Sequence, residues 1–415
     1  MIAEILATGD EIRTGALVDS NSAHIARVLE EAGVEVVRHS IVGDDPDCLV
    51  SILREIASRA DIAVVTGGLG PTDDDQTTAA AARAAGVELV LDPRALDSVE
   101  AIFKARQWAL SPGNKKQALL PTGANCLINP VGTAPGFQLK IERCEMFFLP
   151  GVPFEMRQML ATEVIPRLMQ LQGQDRGVRL VQTLSTFGLG ESATAEHLEG
   201  FGERFPQIKL GFRAKFPETH VKFYGSGPDE DELRSQLAKA EDWVTQQLGN
   251  KILSNTGESL EQVVGKLLRA RSETLAVAES CTGGLIADLI TEVPGSSDYF
   301  KLSAVTYANS AKMKILAVAS RTLDIHGAVS EETAREMAQG VRRISGASYG
   351  LSTSGIAGPG GGTDDKPVGT VCIGLATLDS VSTRRYHFTL DNRRLNKRIF
   401  AAAALELLRR KLLST

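Results

Sequence analysis

DIAVVTGGLGPTDDD, residues 61–75, begins with a short apolar run and continues into a turn rich in glycine and aspartate. An apolar run of this length, ended by glycine, is typical of a strand buried on both faces. The runs IAEILA, VEVVRH and MFFLP in the same part of the chain have the same character. Between them, Ser22–Ala32 and Cys48–Arg59 carry apolar residues at helical spacing. Strands that alternate with helices predict a mostly parallel sheet covered by helices on both faces.

The strand–helix alternation returns in the last third of the chain, where TLAVA, LSAVTYA, ASYGLST and VGTVCIGLA are predicted strands. The segment between the two alternating regions differs, because TLSTFGLGES and HVKFYGSG indicate strands around one or two helices, punctuated by prolines. The sequence therefore predicts an α/β protein with two three-layer α/β domains, at residues 1–172 and 253–415. A small α+β module at residues 173–252 joins them.

The composition of the 415-residue chain, 43% hydrophobic and 23% charged, is that of a soluble enzyme with more than one domain. A net charge of −6 does not favour a nucleic-acid partner. The apolar runs are too short to cross a membrane and the N-terminus does not resemble a signal peptide, so we expect a cytoplasmic protein. The five cysteines form no CxxC pair and the six histidines are scattered, which argues against a disulfide framework and a zinc site.

The turn that follows DIAVVT has two interpretations. A glycine-rich turn between strand and helix exposes N–H groups to which a phosphate can bind. Asp73, Asp74 and Asp75 beside it could hold a divalent cation that bridges a pyrophosphate. Alternatively, Thr72 and Asp75 match a capping box, and the helix dipole stabilises acids in a first turn. The residues alone leave both interpretations open.

The first domain contains five motifs in this order: GDE (9–11), VDSN (18–21), TGGLGPTDDD (66–75), NPVGTAPGF (129–137) and LPGVPFEM (149–156). Together they resemble the CinA family, known as competence/damage-inducible protein A. The resemblance implies a fold similar to molybdopterin-binding proteins and, in some members, hydrolysis of ADP-ribose with a divalent metal. It implies nucleotide contacts from Asn21, Gly67, Gly68 and Gly70, and metal contacts from Asp73, Asp74 and Asp75. TFGLGES, residues 186–192, resembles the family's KH-like module, although no GXXG clamp for RNA is evident.

AESCTGG, residues 278–284, follows the apolar strand TLAVA and precedes the helix LIADLITEV. A serine at such a junction lies beside free helix-terminal N–H groups that can stabilise an oxyanion, so Ser280 is a candidate nucleophile. The alternative is that Ser280 caps the helix. Gly283 and Gly284 favour the first interpretation, because paired glycines cost helix stability and let a ligand approach the backbone. Cys281 is a rival nucleophile, but a lone cysteine without a nearby base is usually buried packing.

VTYANSAK, residues 305–312, ends a predicted strand and enters the next helix, with Lys312 in its first turn. A helical lysine is usually a solvated charge, and it acts as a base only if burial or a nearby cation removes its proton. A pyridinium substrate would supply such a cation. Tyr307 by itself is typical of a core aromatic residue at a strand end.

STSGIAGPGGGT, residues 352–363, is a glycine-rich turn after another strand. Such a turn exposes many N–H donors and fits a phosphate or ribose phosphate closely. The alternative is an ordinary flexible loop, although Pro359 and Pro367 indicate a defined shape. The Walker pattern is absent from the sequence, because no Gly-Lys-Ser/Thr ends the turn.

In this order and spacing, the three segments resemble the nicotinamide-nucleotide amidohydrolase domain of the CinA family, from Glu258 to Leu413. The resemblance implies that Ser280 is the nucleophile and Lys312 its base, with Tyr307 orienting one of them. It also implies that Arg393 meets the substrate phosphate, although Asp391 stands where the family has glycine. The implied substrate-binding residues are Thr282, Gly283, Gly284, Ser354, Gly355, Gly358, Gly360, Gly361 and Arg393.

The expected reaction is hydrolysis of nicotinamide mononucleotide to nicotinate mononucleotide and ammonia by serine–lysine acyl transfer, without a cofactor. The N-terminal site is expected to cleave ADP-ribose with a divalent cation. Expected partners are these small molecules and a second copy of the chain in a homodimer, with no nucleic acid and no membrane. The alternative is a non-catalytic protein that binds a nucleotide or pterin and acts through a partner in competence or DNA damage.

Overall fold

The structure, a computed structural model, describes residues 1–172 and 178–414. It forms two compact units, Met1–Leu180 with Ser226–Leu233, and Val181–Gly225 with Arg234–Thr415. The predicted boundary between residues 172 and 173 borders the undescribed segment 173–177, and the predicted last residue, Thr415, also lies outside the described residues. No helix within the described ranges has the length and apolar character needed to span a membrane.

The N-terminal domain is built on a six-stranded sheet with the order β2-β1-β3-β8-β7-β6. β2, β1, β3 and β8 run parallel, and β7 and β6 continue the sheet in antiparallel pairing. The elements in chain order are β1 (Ile2–Thr8), α1 (Asp10–Arg13), α2 (Ser20–Glu31), β2 (Glu35–Val42), α3 (Pro46–Arg59), β3 (Ile62–Thr66), α4 (Thr77–Ala85), β4 (Leu89–Leu91), α5 (Pro93–Ala105), α6 (Pro112–Lys116), β5 (Leu119–Pro121), β6 (Asn125–Leu127), β7 (Gly136–Ile141), β8 (Cys144–Leu149), α7 (Pro153–Met159) and, after a π-helical turn, α8 (Ile165–Gln172).

Strand β3, the run DIAVVT of the sequence, is buried along its whole length. Its side chains alternate between two cores, as a period of two requires. Ile62 and Val64 pack in the core formed with α2, α7 and α8, whereas Ala63 and Val65 pack in the core formed with α3 and α4. The domain therefore has three layers.

The middle module has a four-stranded sheet with the order β10-β11-β9-β12. β10 pairs with β11, and β12 pairs with β9, in antiparallel fashion. Its mixture of strands and helices is the α+β arrangement predicted from the sequence. The elements are β9 (Val178–Phe187), α9 (Glu191–His197), α10 (Phe201–Arg204), β10 (Ile208–Lys215), β11 (Glu218–Gly227), α11 (Glu230–Leu248) and β12 (Ile252–Ser254).

The C-terminal domain has a five-stranded sheet with the order β14-β13-β15-β16-β17, in which the first three strands are parallel and the last two antiparallel. The elements are α12 (Leu260–Ala270), β13 (Leu275–Glu279), α13 (Leu285–Thr291), β14 (Phe300–Val305), α14 (Asn309–Leu316), α15 (Ser320–His326), α16 (Glu331–Ser345), β15 (Tyr349–Gly355), β16 (Thr370–Ala376), β17 (Val381–His387) and α17 (Arg393–Leu413).

The central strand β13 again divides its side chains between two cores. Leu275 and Val277 pack with α12 and α17, whereas Ala276 and Ala278 pack with α14, α15 and α16. This second three-layer arrangement confirms the fold class predicted from the sequence. Glu279 stands level with Val305 of β14 and with Thr353 of β15. Because parallel neighbours end at the same edge of a sheet, the three segments with predicted chemistry emerge together.

Candidate active site

Ser280 is the first residue after the central strand β13 of the C-terminal domain. Its backbone N–H donates to the carbonyl of Thr353 at 3.0 Å, and its own carbonyl accepts from Gly283 at 3.2 Å. The following helix α13 begins at Leu285, with Gly284 as its N-cap at φ +96°. Ser280 therefore does not cap this helix, and the alternative weighed from the sequence is excluded.

Lys312 occupies the first turn of α14 and is almost fully buried, with 1% of its surface exposed. Its Nζ lies 3.0 Å from the Oγ of Ser280, and it donates to the carbonyls of Thr306 and Tyr307 at 2.9 and 3.0 Å. No carboxylate among the described residues forms an ion pair with it. Burial therefore lowers the pKa of Lys312 below that of an ordinary lysine.

Cys281, the rival nucleophile, points into the hydrophobic core shared by α12, α13 and α17. Burial raises the pKa of its thiol to about 12. Since the thiolate is the nucleophilic form of cysteine, a thiol that stays protonated at neutral pH is a poor nucleophile. The environment of Cys281 thus favours Ser280 for that role.

Glu279 is a buried residue of this site that the sequence prediction missed. Its side chain is fully buried, and its carboxylate accepts hydrogen bonds from the backbone N–H groups of Gly284, Ile286 and Ala287 at 2.9, 3.2 and 3.0 Å. The hydroxyl of Ser303 donates to it at 3.3 Å. An acid at the end of an otherwise apolar buried strand is the signal that could have identified it.

The contacts of Glu279 correct one expectation about the oxyanion. The sequence predicted that free N–H groups of the helix terminus would hold it, but Glu279 already occupies three of them. Among the described residues, the backbone N–H groups of Cys281 and Thr282 donate to no oxygen. These two groups follow Ser280 directly and are the remaining candidates for that role.

Thr282 and Gly283 define the shape of the turn after Ser280. Thr282 is fully buried, and its hydroxyl lies 2.8 Å from the hydroxyl of Thr353 on β15. Gly283 has φ +62°, a conformation that L-residues rarely adopt. A Cβ at Gly283 would also lie 3.5 Å from the Nζ of Lys397 on α17. The turn is therefore tied to β15 on one side and approached by a cation on the other.

Tyr307 and Arg393 meet beside this turn. The guanidinium of Arg393 donates to the hydroxyl of Tyr307 at 3.3 Å and to the carbonyl of Gly358 at 2.6 Å. The side chain of Tyr307 is 63% exposed, so Tyr307 is not the core residue that its type alone would predict. Tyr307 contacts Lys312 through its backbone carbonyl, whereas its hydroxyl faces Arg393.

The glycine-rich segment that begins at the end of β15 has a first part packed against neighbouring strands and loops and a second part exposed to solvent. Ser354 is buried and its hydroxyl donates to the carbonyl of Ala328 at 2.6 Å. A Cβ on Gly355 would lie 2.5 Å from a carbonyl of β16, and one on Gly358 would lie 2.7 Å from Val368. Gly360 and Gly361 are exposed. The hydroxyl of Ser354 is thus already satisfied within the protein, while the later glycines are accessible to a ligand.

A cavity of about 540 Å³ lies at the carboxyl edge of the N-terminal sheet. Gly67 and Gly68 line it with φ values of +110° and +67°, and a Cβ on either would lie within 2.5 Å of an oxygen of Thr8 or Thr77. These positions therefore require glycine. Six of the predicted N-terminal site residues line the cavity, namely Asn21, Gly67, Gly68, Gly70, Asp74 and Asp75.

Asn21 and Gln117, which line this cavity, each have a side-chain oxygen without a hydrogen-bond partner. The side-chain nitrogen of Asn21 donates to the carbonyl of Gly151 at 2.7 Å and to the hydroxyl of Thr66 at 3.2 Å, which fixes the orientation of the amide. Its oxygen has no partner, nor has the side-chain oxygen of Gln117, and both residues are more than nine-tenths buried. A buried acceptor without a donor is costly, so these two oxygens are unsatisfied polar groups in the residues that line the cavity.

The predicted metal residues differ in their positions. Asp74 and Asp75 line the cavity, whereas Asp73 is not part of its lining. The carboxylate of Asp75 accepts from the backbone N–H and hydroxyl of Thr72 at 2.9 and 2.5 Å, although α4 begins only at Thr77 and these residues do not cap it. In residues 1–172 and 178–414, no three acidic, histidine or cysteine side chains form a ready metal site.

Asp44 also lines the N-terminal cavity and was missed by sequence reasoning. Burial raises the pKa of its carboxyl, and the negative charges of Asp10, Glu11 and Asp74 raise it further. Asp44 is separated from the end of β2 by Gly43, as Asp10 is separated from the end of β1 by Gly9. The repetition of Gly-Asp at the carboxyl ends of two parallel strands is the signal that could have identified it.

The chain is a multidomain α/β protein with two candidate sites. Its first three-layer domain contains a polar cavity, an α+β module follows, and its second three-layer domain contains a buried serine–lysine pair. Family models match all three parts: "Probable molybdopterin binding domain" at residues 4–170, "Damage-inducible protein CinA KH domain" at 181–253 and "CinA C-terminal domain" at 257–412. The chain belongs to the CinA family, which confirms the resemblance inferred from its motifs.

Full-length relatives support this assignment. A CinA-like protein of Desulfosudis oleivorans is 54% identical over 413 residues and one of Geobacter metallireducens is 43% identical over 414, each covering 100% of both chains. Among solved structures, a CinA superfamily protein from Klebsiella pneumoniae is 33% identical, covering 38% of this chain and 97% of that one, with a TM-score of 0.37. The CinA protein from Thermoplasma acidophilum is 34% identical, covering 41% and 96%, with a TM-score of 0.37.

Proposed function

We propose that the C-terminal domain hydrolyses nicotinamide mononucleotide to nicotinate mononucleotide and ammonia. The observation that carries the proposal is the 3.0 Å contact between Lys312 Nζ and Ser280 Oγ. A buried lysine whose amine lies within hydrogen-bond distance of a serine hydroxyl, at the end of a central strand, has the geometry of a nucleophile with its general base. The chemistry belongs to the side chains and requires no cofactor.

Lys312 acts in its neutral form, which burial makes accessible by lowering its pKa. The two hydrogens of a neutral amine remain on the carbonyls of Thr306 and Tyr307, so that its lone pair faces the hydroxyl of Ser280. A substrate with a pyridinium ring favours the neutral amine further, because the fixed positive charge of the ring disfavours a second cation beside it.

The reaction proceeds in two steps. Lys312 takes the hydroxyl proton as Ser280 Oγ attacks the carboxamide carbon, and the N–H groups of Cys281 and Thr282 stabilise the oxyanion. The tetrahedral intermediate collapses, the C–N bond breaks, and Lys312 returns the proton to the departing ammonia. Water then attacks the acyl ester, Lys312 takes its proton and passes it to Ser280, and the carboxylate product leaves.

The test is release of ammonia from nicotinamide mononucleotide by the purified full-length protein, with nicotinate mononucleotide identified by mass spectrometry. Ser280→Ala is the matched inactive variant. Failure of the folded wild-type protein to release ammonia would contradict the proposal. The competing hypothesis of a protein that binds nucleotides without chemistry predicts substrate binding but no product from either protein.

A second function is proposed for the N-terminal domain, namely hydrolysis of ADP-ribose. The unpaired buried oxygens of Asn21 and Gln117 favour a ligand with hydroxyl or amino donors, which ribose and adenine provide. A magnesium-like ion takes one or two carboxylates and completes its shell with substrate phosphate and water, which fits Asp74 and Asp75 in the cavity lining. Such a cation would neutralise charge on the pyrophosphate. The test is the appearance of AMP and ribose 5-phosphate from ADP-ribose with and without added Mg²⁺.

A further inference from the structure

The first turns of α17 carry two cations, Arg393 beside Tyr307 and Gly358, and Lys397 beside the turn that carries Ser280. Arg393 contacts Tyr307 and Gly358, and the Nζ of Lys397 lies 3.5 Å from the position that a Cβ on Gly283 would occupy. Residues four apart on a helix share a face, so Arg393 and Lys397 point toward the same side.

Within the described residues, Arg393 and Lys397 form no ion pair with an acid, whereas cations further along the same helix do. Glu406 accepts from both Arg409 and Arg410 at 2.6 Å. In the described part of the chain, no carboxylate forms an ion pair with Arg393 or Lys397, and the nearby buried Glu279 is already bound to backbone N–H groups. Two cations held at one site without a counter-charge attract an anion.

We propose that Lys397 is a second phosphate-binding residue of this site and that it acts with Arg393 to select substrates carrying a phosphate monoester. The inference rests on the proposed deamidation, since it names the part of that substrate which Lys397 contacts. Gly283 belongs to the same arrangement, because a Cβ at this position would be in van der Waals contact with the ammonium group of Lys397. A dianionic phosphate can accept from the ammonium and the guanidinium together.

The substitution Lys397→Met removes the charge and keeps most of the apolar stem. We expect it to lower kcat/KM for nicotinamide mononucleotide by about 10- to 100-fold, the usual effect of losing a hydrogen bond to a charged group. Nicotinamide riboside, which lacks the phosphate, should be deamidated equally well by both proteins. Lys397→Arg should restore most of the preference for the phosphorylated substrate. Arg398→Met, which removes an exposed charge from the next position, should change neither substrate's rate more than about twofold.

Equal losses on the two substrates, or an unchanged ratio, would overturn the inference. A second measurement separates it from the proposed reaction. Calorimetric binding of inorganic phosphate and of ribose 5-phosphate to the full-length protein needs no turnover. Weaker phosphate binding by Lys397→Met than by wild type and Arg398→Met supports the phosphate site even if no ammonia is released. Equal phosphate binding by all three proteins rejects it even if the wild type is an active deamidase.

Discussion

The side-chain nitrogen of Lys312 lies 3.0 Å from the hydroxyl oxygen of Ser280, although 32 positions separate the two residues in the chain. In the proposed mechanism, each residue contributes one half of a nucleophile–base pair. Members of such a pair act as a unit, so that losing one costs nearly as much as losing both.

Ser280→Ala, Lys312→Ala and the double variant should therefore lose similar factors in kcat for deamidation, on the order of 10³ or more. Cys281→Ala is the control and should retain most activity, because the thiol is buried and protonated. Steady-state ammonia release from proteins with checked folding decides the matter. An active Ser280→Ala together with an inactive Cys281→Ala would identify the cysteine as the nucleophile.

The activity should rise with pH through the lowered pKa of Lys312. Burial lowers this pKa, so the neutral base becomes available at a lower pH than for an ordinary lysine. The pH profile of kcat/KM in the wild type should therefore show an ascending limb that reaches its plateau well below the pKa of a solvated lysine. An ascending limb centred at the ordinary lysine value, near 10.4, would contradict this assignment.

The same shift makes a prediction about stability. At pH values between the folded-state pKa of Lys312 and its higher unfolded-state pKa, Lys312 is protonated in the unfolded chain and neutral in the folded protein. The unfolded chain therefore binds one more proton, so this residue makes the stability of the fold increase with pH across that window. Below the folded-state pKa the cost of the buried charge is fully present. Lys312→Met removes this cost together with three hydrogen bonds, and we expect its Tm at neutral pH to remain within a few degrees of wild type. A pH series of thermal unfolding should be flatter for the variant over this window.

Glu279 should be required to position the turn that carries Ser280. The carboxylate of Glu279 accepts hydrogen bonds from three backbone N–H groups. In Glu279→Gln the side-chain NH₂ group, which is a donor, would face at least one of these N–H groups. We therefore expect the free energy of unfolding to fall by about 1–3 kcal/mol. The value of kcat should fall as well. Asp288→Asn makes the same chemical change at an exposed position of α13 and is the matched control. A Glu279→Gln protein as stable and active as this control would refute the positioning role.

Hydrolysis of ADP-ribose should depend on Asp74 more than on Asp73. Asp74 lines the N-terminal cavity and Asp73 does not, so Asp74→Asn should abolish most of the Mg²⁺-dependent rate while Asp73→Asn retains it. Deamidation by the C-terminal domain should be unchanged in both variants. The comparison uses product formation over a range of Mg²⁺ concentrations. Equal rates in Mg²⁺ and in chelator would rule out the role of the cation.

Much of the architecture was predictable because it depends on local patterns. The apolar runs of β3 and β13, and the glycine turns after them, identify buried strands that end at glycine-rich loops. The motifs around Thr66–Asp75 and Ala278–Gly284 were enough to indicate the family. The positions of Ser280 at a strand end and of Lys312 in a first helical turn also follow from the sequence, because periodicity and breakers are encoded locally.

The sequence by itself therefore determined the two α/β domains, the α+β module and the edge at which chemistry would be found. Only the tertiary structure decided which residues meet there. In the folded chain Lys312 contacts Ser280, and Glu279 accepts from the N–H groups at the start of α13. The hydroxyl of Ser354 donates to a backbone carbonyl within the protein, and Lys397 lies beside Gly283. The physical reason is that contact and desolvation arise from neighbouring strands and helices that are distant in the chain, and no local pattern records which side chain the packing will bury.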